Sequence, residues 1–357
     1  MIVRRLRIVR TIALGAVIGF AASAYAQTYP GKSWRSYGSP EKAGWSSAKL
    51  AQAERLASAQ DTEAVMIVHR GRIVCEWGDT ERPFMCHSMR KSILSALYGI
   101  YVEKRAIDID KTLEQLGIDD KAPSLTRVEK QATVRDLLKA RSGIYHAALY
   151  ETASMTANKP PRGSHKPGTN WHYNNWDFNS LGTIFDNEVE SSLFDKFAED
   201  IAEPLGMQDF VPDEHTDYFT GDQSVHPAYP FRLSARDLAR FGLLMARQGQ
   251  WKRDQIVPAE WVSESTTSYS DAGSSGGYGY MWWVAANGRH LEPATLPDGT
   301  YTARGAGGHY LLIVPQWDLV IVHRVNTFMP DHSVTAHQFG TLLKRILEAA
   351  PQELTEL

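Results

Sequence analysis

Cysteine is almost missing from this chain: Cys75 and Cys86 are the only two in 357 residues. At most one disulfide can form within it. Charge of one sign is not in excess either. The 38 Lys and Arg nearly balance the 41 Asp and Glu, for a net charge of -3. No basic excess points to nucleic acid, and no acidic tract points to disorder. Repeats, low-complexity tracts and long linkers are absent. His165, His172 and His309 lack the spacing of zinc ligands, so no metal is expected. The apolar run Thr11–Ala22 is too short for a comfortable membrane span.

That run has another reading. Arg4, Arg5, Arg7 and Arg10 precede it, and Ala24-Tyr25-Ala26 follows it as a small-x-small cleavage pattern. Residues 1–26 are expected to be a signal peptide cut before Gln27, giving a periplasmic or secreted protein with no stable membrane anchor. In an oxidising compartment Cys75 and Cys86 could form a disulfide, contributing on the order of 3 kcal/mol. Two buried free thiols are the other possibility.

With 43% hydrophobic and 22% charged residues, the chain has ordinary globular composition. Ala64–His69 and Arg72–Trp77 are β-rich runs around Arg70-Gly71, the pattern of a hairpin. From about 106 to 270 the pattern is mostly helical. Period-two runs return at Tyr278–Ala285, Tyr301–Arg304, Tyr310–Val314 and Leu319–His323, and an amphipathic helix closes the chain at Val334–Ala349. This order predicts an α+β fold of the α/β-sandwich type. One antiparallel sheet is built from both chain ends and covered by terminal helices, with a mostly helical lobe inserted. The sheet lobe spans about 27–85 and 271–357, the helical lobe about 86–270, in one catalytic domain over 27–357. A ligand site is expected in the cleft between lobes.

Ser88-Met89-Arg90-Lys91 opens a helical pattern at that junction. Positions i and i+3 share a helix face, so Ser88 and Lys91 project together. A serine hydroxyl needs a base to become a nucleophile, and a buried lysine can be that base. Ser-x-x-Lys alone is weak, because a capping Ser with a surface Lys has the same pattern. Ser46-Ser47-Ala48-Lys49 is a second copy, read as a helix cap. Two further stretches supply partners for Ser88. Tyr173 and Asn175 form a Tyr-x-Asn pattern, and a phenol near an ammonium should lose its proton more easily. Arg304-Gly305-Ala306-Gly307-Gly308-His309 is glycine-rich at a strand entrance, where an N–H near Gly308 could join that of Ser88 as an oxyanion hole.

In this order the three elements resemble the serine β-lactamase and penicillin-binding-protein superfamily, closest to its class C-like branch. That branch includes esterases and 6-aminohexanoate-dimer hydrolases, and it uses Tyr where class A enzymes have Ser. The resemblance implies a β-lactamase/transpeptidase-like fold and no cofactor. It implies Ser88 as acylated nucleophile, Lys91 and Tyr173 as acid/base groups, and Asn175, Gly305, Gly307, Gly308 and His309 as substrate or oxyanion residues. The third element departs from the family's Lys-Thr-Gly or His-Thr-Gly. Gly305-Ala306-Gly307 offers no cation for a substrate carboxylate, and Arg304 and His309, candidates to replace it, must be weighed against the alternation of strand faces. The expected function is therefore cleavage of a small ester or amide, ahead of β-lactam hydrolysis or D-alanyl-D-alanine peptidase activity, with a non-catalytic binding or sensor role third. Trp171, Trp176, Tyr278, Trp282 and Trp283 suit either a flat acyl group or the core.

Overall fold

The computed structural model describes residues 27–355. The expected signal peptide lies outside the described residues. Helix α1 (Ser47–Ser58) is followed by strands β1 (Thr62–His69) and β2 (Arg72–Gly78) and by helix α2 (Met89–Glu103). Arg70 and Gly71 both have positive φ, which suits a two-residue hairpin between twisted strands. The middle of the chain carries helices α3 (Asn175–Val189) and α4 (Ala235–Ala246) among shorter ones. Strands β3 (Ser270–Asp271), β4 (Gly277–Tyr278), β5 (Trp283–Val284), β6 (Tyr301–Gly305), β7 (His309–Val314) and β8 (Leu319–Val325) precede helix α5 (Ala336–Leu347).

These eight strands form one antiparallel sheet in the order β2-β1-β8-β7-β6-β5-β4-β3. The first strands of the chain thus join its last at the β1–β8 pair, with Ile67 opposite Ile321. Both faces of the sheet are covered. Val65, Ile67 and Ile321 pack with Leu50 of α1 and Phe339, Leu342 and Ile346 of α5. Met66, Val68, Val320 and Val322 pack into the larger core with α2 and α4. Burial on both faces is why β8 reads as a nearly unbroken apolar run. Helix α2 is buried on every side from Met89 to Tyr101, which fits its apolar composition.

One expectation changes. The run Tyr278–Ala285 is two short strands and not one. Between them Tyr280 N–H reaches Ser265 O and Met281 N–H reaches Leu138 O, so the loop is tied to the helical side. Met281 has a positive φ, and its carbonyl accepts from Ser92 Oγ of α2 (2.7 Å). The cysteines, for which a disulfide and free thiols were both open, are decided as well. Cys75 and Cys86 are free thiols. Cys75 packs on the α1/α5 side of the sheet, while Cys86 is buried in the core on the other side. A sheet separates them, and a disulfide needs Cβ atoms about 4 Å apart.

Candidate active site

Ser88 sits at the N-cap of α2, yet its hydroxyl makes no capping bond. In the second Ser-x-x-Lys copy, Ser46 accepts from the Lys49 N–H at the start of α1, and Lys49 Nζ turns away to Glu348 O (2.8 Å). The two copies therefore differ in what the serine oxygen does. Before Ser88, His87 takes a positive φ of 48°, a conformation that costs a non-glycine residue energy. It sets the sharp entry of the chain into α2.

Tyr173 and Asn175 reach Ser88 from the start of α3. Asn174 caps that helix by accepting from the Trp176 N–H, and its amide donates to Ile144 O (2.5 Å) and Asp177 Oδ1 (2.9 Å). Asp177 also accepts from Ser142 Oγ. This buried polar cluster fixes the loop that presents Tyr173.

The centre of the constellation is Lys91. Its Nζ lies within hydrogen-bond distance of Ser88 Oγ (3.0 Å), Tyr173 OH (2.5 Å) and Asn175 Oδ1 (2.7 Å): as an ammonium it donates to all three, and as a neutral amine it keeps two donors and turns its lone pair to a hydroxyl. It also lies over the rings of Tyr173 and Phe178, 4.2 and 4.5 Å from their centroids. Burial, and then the neighbouring Arg90 guanidinium, push its pKa well below the ordinary lysine value; Glu151 opposes them. Arg90 is itself buried. It is held by His87 O, Asn179 Oδ1 and the rings of Tyr150 and Tyr229, with no carboxylate pairing it among the described residues. Tyr173 is not acidified as expected. Burial pushes its hydroxyl up to about 12, outweighing the contact with Ser88 and the charge of Arg90, both of which pull it down. Burial thus disfavours both the phenolate of Tyr173 and the ammonium of Lys91. A neutral amine can take a proton from a hydroxyl, whereas an ammonium cannot.

Ser88 and Tyr173 open into a cavity of about 290 Å³ lined also by His87, Tyr150, Met155, Trp283, Arg304, Gly305 and Ala306. Trp283 stacks on Tyr173, with centroids 5.4 Å apart. Of the aromatic residues singled out in the sequence, Trp283 lines the cavity and Trp171 packs behind it, while Trp176, Tyr278 and Trp282 are core.

The glycine-rich element divides. Gly305 approaches the start of α2 so closely that a Cβ there would lie 2.6 Å from Cys86 O. Gly307 and Gly308 turn away toward Thr327 and Val334. The Gly308 N–H closes the turn onto Gly305 O (3.3 Å), so it is not aimed at the cavity. His309 is fully buried beneath His87, with neither ring nitrogen bonded and its pKa driven well down by burial. It cannot supply a cation. Arg304 lines the cavity instead. Register places Gly305 opposite His309 and Arg304 opposite Tyr310, so the two candidate cations occupy different faces. Sequence reading passed over His87, Arg90 and Tyr150 as site components, since nothing local marks them.

The sequence profile of the β-lactamase family matches residues 52–342. This chain belongs to the β-lactamase family. Its members are serine hydrolases acting on small molecules, and the chain has their α+β fold. An uncharacterized protein of Alkalihalophilus pseudofirmus is 25% identical over 306 residues, spanning 74% of this β-lactamase-family chain and 84% of that one. Among solved structures, a Bacillus anthracis protein assigned as a 6-aminohexanoate-dimer hydrolase superposes with a TM-score of 0.61 at 21% identity, covering 84% of this chain and 82% of that one. A class C β-lactamase variant superposes with a TM-score of 0.60 at 16% identity, covering 85% and 97%. At such identities the likeness is one of fold.

Proposed function

We propose that this protein is an exported serine hydrolase that cleaves a small ester or amide through an acyl-enzyme on Ser88. The observation that carries the reading is the convergence of Lys91 Nζ on Ser88 Oγ, Tyr173 OH and Asn175 Oδ1 beside an open cavity. Ser88 Oγ attacks the substrate carbonyl while neutral Lys91 accepts its proton. Tyr173, bonded to the same amine, passes a proton to the departing alcohol or amine. Water then attacks the acyl-enzyme, with the same two groups working in reverse. Asn175 holds Lys91 in place; its own amide is anchored on Tyr150 O (2.6 Å). The developing oxyanion meets the N–H of Ser88, unpaired by helix geometry, and that of Ala306 at the end of β6. Gly305 serves here by letting β6 approach α2.

A fluorophosphonate probe with intact-mass analysis tests this. Wild type should gain one adduct, and Ser88→Ala none. Equal labelling of the two would rule out Ser88 as the nucleophile.

A further inference from the structure

Arg304 is in an unusual situation. It lines the same cavity as Ser88, together with Trp283, Tyr150 and Met155, and no carboxylate contributes to that lining. Its guanidinium lies over the Trp283 ring, 4.9 Å from the centroid. Nη2 donates to His290 Nδ1 (2.9 Å) and, at 3.4 Å, to Ser275 O. His290 Nε2 faces Thr302 Oγ1 (2.6 Å). His290 Nδ1 also lies 3.2 Å from Ser275 O, so the imidazole and the guanidinium converge on that carbonyl. His290 is buried and kept neutral, so it orients the guanidinium without neutralising it. Nη1 and Nε have no protein partner among the described residues, and Nε is buried.

Arg90, Arg240 and Arg324 also have a buried Nε without a partner among the described residues, but their terminal nitrogens are bonded. Arg247 pairs with Asp318, and Arg240 and Arg324 are surrounded by carbonyl oxygens. Arg304 combines a desolvated charge, unused donors and an open cavity. A guanidinium presents paired N–H groups that match a carboxylate.

We infer that Arg304 receives a carboxylate of the substrate, so that the enzyme prefers esters or amides that carry a free carboxylate next to an apolar or flat segment resting on Trp283. The inference rests on the Ser88 reading above and supplies the cation missing from the Gly305-Ala306-Gly307 element. Here the charge comes from the preceding strand residue, held by His290.

Two matched pairs of substrates test it. The acyl-side pair is p-nitrophenyl hydrogen glutarate and p-nitrophenyl pentanoate. The leaving-group pair is 3-carboxyphenyl acetate and 3-carbamoylphenyl acetate. Wild type should favour the anionic member of at least one pair by roughly ten- to hundred-fold in kcat/KM, as expected of a charge-assisted hydrogen bond. Arg304→Met should bring that ratio close to one, chiefly through KM of the anionic member, and Arg304→Lys should keep part of it. A structural role would lower both members of a pair together and leave the ratio unchanged. No preference in wild type for either pair overturns the inference whether or not the variants fold. If fluorophosphonate still labels Ser88 in that case, the hydrolase reading stands and the carboxylate alone falls. If Ser88 is neither labelled nor needed for turnover, both fall.

Discussion

Lys91 can serve as a base only while it is neutral, and its surroundings work toward that state. Burial and Arg90 depress its pKa, so the amine is protonated below that lowered value and free above it. Labelling of Ser88 should therefore rise with pH through one ionisation and then flatten. His87, which also lines the cavity, is lowered to about 4 by burial and by the charges of Arg324 and Arg90. An acid limb centred near 4 would therefore assign the base to His87 and count against Lys91. Lys91→Met should slow turnover roughly a hundred- to ten-thousand-fold, the range of a lost general base. Arg90→Gln should raise the Lys91 pKa and move the acid limb to higher pH, which a pH–rate profile would show directly. The pairing of Ser88 with Lys91 was legible in the sequence because it is local to one helix turn. The upward shift of Tyr173 was not, because it comes from burial by Phe178 of α3 together with Trp283 and Tyr278, about a hundred residues away in the chain.

At the level of elements, two contacts hold the site open and in register. The end of β6 lies against the entry to α2, and a Cβ at Gly305 would meet Cys86 O, a backbone atom that cannot swing aside. Gly305→Ala should remain folded but push β6 away from Ser88, lowering kcat by tenfold or more, measured on any accepted ester. The start of α3 depends on Asn174. Asn174→Ala removes a helix cap and two buried bonds, and should cost about 1–2 kcal/mol in urea unfolding, with a loss of activity through the loosened Tyr173 loop. The cap at Ser46 is visible as a residue pattern, whereas the start of α3 at Asn175 reads in the sequence as part of a loop. The break between β4 and β5 is not visible either: YGYMWWVA has strand composition throughout, and only bonds to Ser265 and Leu138 bend it.

For the whole molecule, the two-faced sheet sets what can meet what. It puts Cys75 and Cys86 in separate cores, so thermal unfolding should give the same midpoint with and without dithiothreitol. A drop of several degrees in reductant would show a disulfide and contradict this arrangement. The sheet also joins the first strands to the last, which carries Gly305 and Arg304 from β6 to the mouth of α2.

By itself, the sequence determined the α+β class, the coarse order of strand-rich ends around a helical middle, and the stretches of the candidate site, because each of these is written in local periodicity and short spacing. Tertiary structure decided the rest: free cysteines, a Gly308 N–H spent on a turn, a buried neutral His309, and Arg304 as the cation at the cavity. The cysteines depend on which face of the sheet each leaves, fixed when β1 and β8, more than two hundred residues apart, pair and bury their common core; the other three depend on the turn and register of the β6–β7 hairpin and its seating against α2.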